Sequence, residues 1–546
     1  GSAGSFNTHK ATLKFSSGLL KEHFEVSGRL SRIRSDGYID RASSDLDSYF
    51  LQGAYLDENT LVKALLFGGH EITYQSWYGF DPATLGAIGV DNDLESNRTF
   101  NIAGIQFDDS GNFEGFYENQ VDNYKQDHFQ LHWNERWTRA FQTNIALHYT
   151  RGRGFFEEYV DEWYYTNILF APDASYAFLG LENPVIDGEE QTTTDYIRRR
   201  WLDNDFLGTV FSAIHNSGPL ELTLGGGWNT YRGDHFGELI WARYSGSLER
   251  GDRYYNDDSR KDDFNVFAKA NFTAGDHWRF FADMQYRSVA YEANGADTGL
   301  VDDTFGFFNP KLGLTYQFRP GSSLYFSYAV ANREPNRNDY EEGNPRPERL
   351  HDLELGWRSL GEQLTLNANL YYMRYKDQLV LTGQLNDVGA PLRANVGDSY
   401  RTGLEIDADL RISPRLRWQP NIALSINRNV DYFFRRDGEL TSLGDTEIAY
   451  SPGVVAGSRL VWSPAEDLQL GVLTKYVGDQ YMSNIEAEGS RLEAYSQTDL
   501  NVQYRIPASG GFPEITLTGL VNNLFDAKFS SNGYFYTYDD DFSNPG

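Results

Sequence analysis

Cysteine is absent from the 546-residue chain. That absence excludes a disulfide scaffold, a thiol nucleophile and a thiolate metal site, and it suits an exported protein that avoids thiols. The sequence also contains no run of 18 apolar residues, and its mean hydropathy is −0.56. A membrane-spanning helix needs about 20 consecutive apolar residues, so no such helix is predicted.

Positive charge is also scarce. The chain has 48 Lys and Arg against 78 Asp and Glu, which gives a formal net charge of −30. Phosphate binding relies on basic side chains, so this balance argues against nucleic acid as a partner. The acidic excess is interpreted as solvated loop charge, with a cation-attracting mouth as the alternative.

Familiar catalytic motifs are missing too. The sequence has no Gly-x-Ser-x-Gly, no His-Glu-x-x-His and no phosphate-binding loop. These motifs supply a nucleophile, a metal-bound water or a phosphate cradle, so their absence removes the common routes to catalysis. We therefore predict a protein that is not an enzyme, with no catalytic residue and no resident cofactor.

Aromatic residues are abundant: 15% of the chain is Phe, Trp or Tyr. Apolar and polar residues alternate with a period of two, for example in 324–330, 364–370 and 515–521. Each such segment has one apolar and one polar face, as expected for strands of a membrane barrel, whose outer face is apolar and whose lumen is polar. Aromatic residues packed in the core of a soluble β protein are the alternative.

Short turns recur along the chain and separate these strands in pairs. Ten candidate turns occur at 22–23, 57–59, 138–139, 217–219, 275–276, 320–322, 361–363, 413–415, 464–467 and 508–511. Longer polar stretches lie between them, at 77–124, 159–194, 244–262, 331–349, 383–399 and 485–493. Short turns at one rim and long loops at the other are typical of outer-membrane barrels.

Ten hairpins predict an all-β, transmembrane, antiparallel β-barrel. About 20 strands are complete here, and about 22 are expected in the intact protein, since closed barrels of this kind have even strand counts. Residues 1–5 are interpreted as the end of one further strand. Aromatic residues at strand ends, such as Trp357, Trp418 and Trp462, are expected to form an interfacial girdle.

Four sequence blocks resemble the TonB-dependent receptors, particularly those of the Bacteroidetes. In chain order they are Gly4 to Lys10, Arg333-Glu334-Pro335 through Leu353 to Gly356, Asn395 through Glu405, and Val521-Asn522-Asn523-Leu524-Phe525-Asp526. Their order matches the predicted hairpin ladder, which makes the joint match far more specific than any single block.

The resemblance implies a function and a setting. Residues 1–546 would be the barrel domain, with the plug and the final strand outside this chain. The receptor would lie in outer-membrane lipid, bind a small molecule or metal chelate, and couple to the TonB–ExbB–ExbD complex through the plug. A surface lipoprotein is a further possible partner.

Candidate ligand contacts are aromatic residues in the long loops, because Trp and Tyr give large contact areas at low entropic cost. The chosen residues are Trp77, Tyr78, Trp163, Tyr164 and Tyr165. Packing of one loop on another is the alternative role. The ten histidines show no metal-ligand spacing, so no metal site is predicted. His235 is retained as a candidate axial ligand should the cargo be haem.

The sequence thus predicts an active-transport receptor of the outer membrane. An iron–siderophore complex is the favoured cargo, with cobalamin or haem as alternatives within the same family. A passive porin and a surface-binding barrel are alternatives from different classes, and dependence of uptake on TonB separates them from a receptor.

Overall fold

The computed structural model of the protein describes the residues 1–76, 79, 85–86, 88–90, 93, 96–246, 248–296, 298–341, 343–385, 390–436, 439–509, 511 and 513–536. Within these ranges no helix is long and apolar enough to cross a membrane. The chain divides into two compact units. Unit 1 comprises 1–215, 224–266 and 288–305, and unit 2 comprises 216–223, 267–287 and 306–546.

Twenty-two strands form one sheet, and we number them β1–β22 in chain order. They are β1 Ser2–Gly4, β2 Thr8–Ser16, β3 Phe24–Ser35, β4 Ser44–Leu56, β5 Thr60–Tyr74, β6 Val121–Arg136, β7 Phe141–Val160, β8 Tyr196–Ser217, β9 Leu220–Ala242, β10 Arg253–Ala274, β11 Trp278–Gly295, β12 Gly299–Arg319, β13 Ser322–Arg333, β14 Glu348–Leu360, β15 Leu364–Lys376, β16 Ser399–Ser413, β17 Leu416–Asn429, β18 Thr446–Glu447, β19 Val454–Ala465, β20 Leu468–Val477, β21 Tyr495–Ile506 and β22 Ile515–Val521.

Smaller elements lie between these strands. Among the described residues, short α-helices with defined bounds are α1, Glu162–Asn167, and α2, Arg337–Glu341. Five two-stranded ladders pair Ile105–Phe107 with Phe113–Phe116, Val185–Ile186 with Glu189–Glu190, Leu379–Leu385 with Pro391–Asn395, Phe433–Arg436 with Glu439–Ser442, and Gln480–Tyr481 with Arg491–Leu492. Single 3-10 turns occur at Pro172–Ala174 and Glu488–Ser490.

The strands pair in a meander of sequence neighbours. In unit 1, β1 to β8 pair in order, and in unit 2 the same holds from β13 onward, except that β17 pairs with both β18 and β19. Every pairing with a defined register is antiparallel. All ten predicted short turns fall at strand junctions, so the prediction of ten hairpins is confirmed.

The predicted loop bounds need correction. β10 begins at Arg253, so residues 253–262 belong to a strand and the predicted loop 244–262 was too long. The polar composition of this segment misled the prediction, because its polar side chains lie on a paired strand. The connection 430–453 between β17 and β19 was missed. The turn at 320–321 and the loop 334–347 do lie at opposite ends of β13, as predicted.

The two faces of the sheet differ as the alternation predicts. In β15, Leu364 and Leu370 are exposed on the apolar face. On the other face, Asn369 Oδ1 accepts a hydrogen bond from Tyr325 Oη at 3.0 Å, and Asn367 Nδ2 donates to Asp407 Oδ2 at 2.8 Å. The prediction that Leu and Asn side chains of this strand separate onto two faces is therefore confirmed.

Aromatic residues mark the turn end of the apolar face in unit 2. Trp357, Trp418 and Trp462 are 37–49% exposed there, each within a few residues of a short turn. Indoles favour such interfacial positions because one edge is apolar and the other can donate a hydrogen bond. The fold thus leaves an apolar band with an aromatic edge.

Candidate functional site

The long connections of unit 1 form a packed structure, which we call the loop cluster (residues 96–120, 161–195 and 248–252). Its residues form two apolar cores together with neighbouring residues outside these ranges. The first is formed by Leu85, Ile88, Ile102, Ile105, Phe107 and Tyr164. The second is formed by Val160, Ala174, Leu179, Tyr196 and Leu239. Burial of these side chains stabilises the loops as a defined surface, because apolar area is removed from water.

Asp161 links two segments of the loop cluster, the one that contains Phe107 and the one that contains Tyr164. Its Oδ1 accepts a hydrogen bond from the Tyr164 backbone N–H at 2.8 Å and so caps α1, while its Oδ2 accepts from the Phe107 N–H at 2.7 Å. The residue is only 1% exposed. Burial disfavours the charged carboxylate and raises the pKa of Asp161 to about 6, and nearby Asp195 and Glu162 act in the same direction.

A buried ion-pair network holds the base of the loop cluster. Arg198 Nε donates to Glu158 Oε2 at 2.8 Å, and both side chains are 4% exposed. Arg198 Nη1 also donates to Asp173 Oδ1 at 3.0 Å. Loss of one partner would leave an uncompensated buried charge, so this network fixes the loop that carries Asp173 against the ends of β7 and β8.

Three of the predicted ligand contacts lie in this structure. The Trp163 ring lies 4.8 Å from the Phe107 ring, and Tyr164 belongs to the first apolar core. Tyr165 Oη donates to Glu158 Oε1 at 3.0 Å. A Cβ on Gly111 would lie 2.3 Å from the Trp163 ring, so the indole packs closely on that backbone. These aromatic side chains are brought together, and they build the loop cluster.

The remaining predicted residues have other positions. Trp77 and Tyr78 lie outside the described residues. His235 lies in β9, where it is half-buried, and it is not part of either apolar core. Within the described part of the chain, no group of three or more His, Asp or Glu could hold a metal ion.

Sequence analysis missed the apolar residues that the loop cluster exposes. Phe170 is 84% exposed, Phe113 51% and Leu169 45%. Phe170 also has a φ of 51°, a left-handed conformation that is uncommon for a residue with a bulky side chain. Exposed apolar patches mark binding surfaces. The run Ile168-Leu169-Phe170 before Ala171-Pro172 was the available signal.

Pockets also lie along the polar face. In unit 1, a cavity of about 550 Å³ is lined by residues of β6 to β9: Tyr124, His128, His148, Asn204 and Tyr231 among them. In unit 2, a cavity of about 300 Å³ is lined by Glu354, Asn369, Tyr371, Arg401, Glu405 and Asn427, among others. Both offer hydrogen-bonding groups on adjacent strands.

The sheet is antiparallel and has one apolar and one polar face, and its strands are joined by short turns and long structured loops. These features are typical of the β-barrel proteins of the outer membrane. The family model described as "TonB dependent receptor-like, beta-barrel" matches residues 31–524. The chain belongs to this family. Its members and the similar solved structures are transport receptors and not enzymes.

Individual relatives are distant. A probable TonB-dependent receptor BfrD of Bordetella pertussis is 30% identical over 122 residues, which cover 20% of this chain and 16% of the relative. The matches thus span well under two thirds of the curated relatives' length. The ferric-catecholate import receptor Fiu of E. coli K12, in its closed form, has a TM-score of 0.64 at 15% identity, covering 96% of this chain and 77% of that chain. The copper transporter OprC has a TM-score of 0.69 at 13% identity, covering 97% and 75%. At these identities the likeness shows the fold.

Proposed function

We propose that the protein is a multi-pass outer-membrane receptor that captures a scarce nutrient on its long loops and imports it with energy from TonB. The observation that supports this proposal most directly is the loop cluster. Its long connections pack around buried apolar cores and expose apolar side chains to solvent. Passive diffusion through a barrel needs no such surface, whereas capture of a dilute ligand does, because a rigid surface lowers the entropic cost of binding.

An iron–siderophore complex is the proposed cargo. Fiu, similar in fold, is an import receptor for ferric catecholate, and OprC is a copper transporter, so the fold serves metal cargo in these proteins. Exposed aromatic and apolar side chains such as Phe113 and Phe170 suit a large chelate with an organic periphery. The net charge of −30 favours a neutral or cationic chelate over an anionic one.

We propose that energy coupling runs through a plug that contacts the polar face, and that the plug contacts the TonB–ExbB–ExbD complex. The polar pockets supply carboxylate, guanidinium and amide groups of adjacent strands for that contact. A surface lipoprotein remains a proposed additional partner, for which the long loops give the surface.

Growth of a receptor-deletion strain complemented with the full-length gene tests the function. Iron is supplied as one of a panel of ferric siderophores, and cobalamin and haem are supplied in parallel. We expect restored growth on one or more ferric siderophores, and loss of this growth when TonB is also deleted. Uptake that persists without TonB would show a passive porin. Growth restored only by cobalamin or haem would overturn the siderophore assignment while preserving the receptor.

A further inference from the structure

Basic side chains cluster on the apolar face of unit 2 where β14 begins and β15 ends. Arg349 lies directly opposite Lys376 in the register, and His351 lies directly opposite Arg374. Opposite residues of an antiparallel pair project from the same face. Arg349, Arg374 and Lys376 are exposed. We call these four residues the basic patch.

The pairing of cations across two strands is unfavourable by itself. Like charges directly opposite one another destabilise a sheet. Arg349 and Lys376 have no ion-pair partner within the described part of the chain. Two acidic residues close by in the chain or in the strand pairing have other partners: Asp377 pairs with Arg346 at 2.7 Å, and Asp398 pairs with Arg374 at 3.0 Å. A chain with 78 acidic residues thus leaves two exposed cations side by side.

The position of the basic patch indicates its partner. The next residues toward the turn end on the same face are exposed and apolar or aromatic: Leu353, Leu355, Leu370 and Tyr372. Because β14 runs from the loops to the short turn at 361–363 and β15 runs back from that turn to the loops, the start of β14 and the end of β15 lie at the loop edge of the apolar band. In an outer-membrane receptor, that edge is the level of the outer-leaflet headgroups.

We propose that the basic patch binds the phosphate groups of phosphorylated outer-leaflet lipids. Two adjacent cations match a phosphate that carries more than one negative charge, and the guanidinium of Arg349 can donate two parallel hydrogen bonds to it. The phosphate relieves the repulsion between Arg349 and Lys376, while the acyl chains cover the apolar residues beside them. The bound lipid thereby fixes this side of the receptor in the membrane.

Lipid binding by the purified full-length receptor in detergent tests the proposal. The probes are diphosphoryl lipid A and the same lipid after enzymatic removal of its phosphates, and bound lipid is counted by native mass spectrometry. We expect clear preference for the phosphorylated lipid. The variant R349Q/K376Q should bind it about thirtyfold more weakly, since each basic residue near an anionic lipid surface contributes about a factor of five.

A matched control removes the same charge from the other face. Lys311 and Arg358 are exposed on the polar face of unit 2, so K311Q/R358Q should bind the phosphorylated lipid as wild type does. Heat-modifiable migration in gels verifies folding, and the single variant R349Q replaces the double variant if that fails to fold. Equal lipid preference in wild type and R349Q/K376Q would overturn the proposal. Competition by millimolar inorganic phosphate would also overturn it, because the site would then be one for free phosphate.

Discussion

At the scale of single residues, the loop cluster depends on groups that have contacts with two chain segments at once. Asp161 accepts hydrogen bonds from Phe107 and Tyr164, and it is almost fully buried. A buried carboxylate loses its hydration, and here two N–H donors and the α1 terminus offset part of that cost. Its position makes the stability of the loop cluster dependent on pH.

The pKa of Asp161 in the folded loops, about 6, lies above the ordinary value of 3.8. Between these values the folded state binds more protons than the unfolded state, so stability of the loops falls as pH rises from about 4 to 6. We expect hydrogen-exchange protection of the Phe107 and Tyr164 amides, corrected for intrinsic rates, to decrease over this range. Asp161→Asn should abolish that dependence, whereas the exposed control Glu249→Gln should retain it. A flat wild-type profile would contradict the assignment.

The aromatic residues of the loop cluster are expected to divide into two groups on mutation. Phe170→Ala removes an 84% exposed ring and should weaken ligand binding by about 2 kcal/mol without loss of folding. Tyr164→Ala removes a ring from the first apolar core and should unfold the loops as well. Isothermal titration with the cognate ferric siderophore measures affinity, and limited proteolysis measures loop folding. Unchanged affinity in F113A/F170A would place capture elsewhere, on the plug or the polar face.

At the scale of elements, alternation and turn chemistry were enough to predict the strands, because a strand that separates an apolar from a polar environment must alternate. Loop bounds were predicted less well. Residues 253–262 were predicted to form a loop because they are strongly polar, but they belong to β10. Strands that extend beyond the apolar band lose the alternation that identifies them.

Close packing across strands gives a test at this scale. Gly356 lies opposite Tyr325, and a Cβ on Gly356 would lie 2.0 Å from the tyrosine ring. Gly356→Ala should therefore displace the ring and destabilise the folded protein by about 1–3 kcal/mol. Gly519→Ala is the matched control, because a Cβ there has nothing within 4 Å. Urea unfolding midpoints compare the two, and equal midpoints would show that the Tyr325 ring moves without cost.

At the scale of the whole molecule, the asymmetry of the connections predicts which residues face the cell exterior. Because the chain has no cysteine, a single introduced thiol can be labelled without background. Val185 is 67% exposed in a long loop, and Glu58 is exposed in a short turn of the same unit. In intact cells, a membrane-impermeant maleimide should label Val185→Cys and not Glu58→Cys. Both should react after disruption of the outer membrane, and the reverse pattern would invert the proposed orientation.

The sequence by itself determined the fold class, the meander of hairpins and the family, because period-two alternation, short turns and the four motif blocks are local properties of the chain. Only the tertiary structure decided where the loop aromatics lie and what they contact. Trp163, Tyr164 and Tyr165 read from the sequence as ligand contacts, and in three dimensions they pack against Phe107 or bond to Glu158. The burial of an aromatic ring depends on chain segments that are tens of residues away in the sequence. Local sequence composition does not show which of these segments will contact the ring. The pairing of Arg349 with Lys376 was hidden for the same reason, since it depends on the register between two strands.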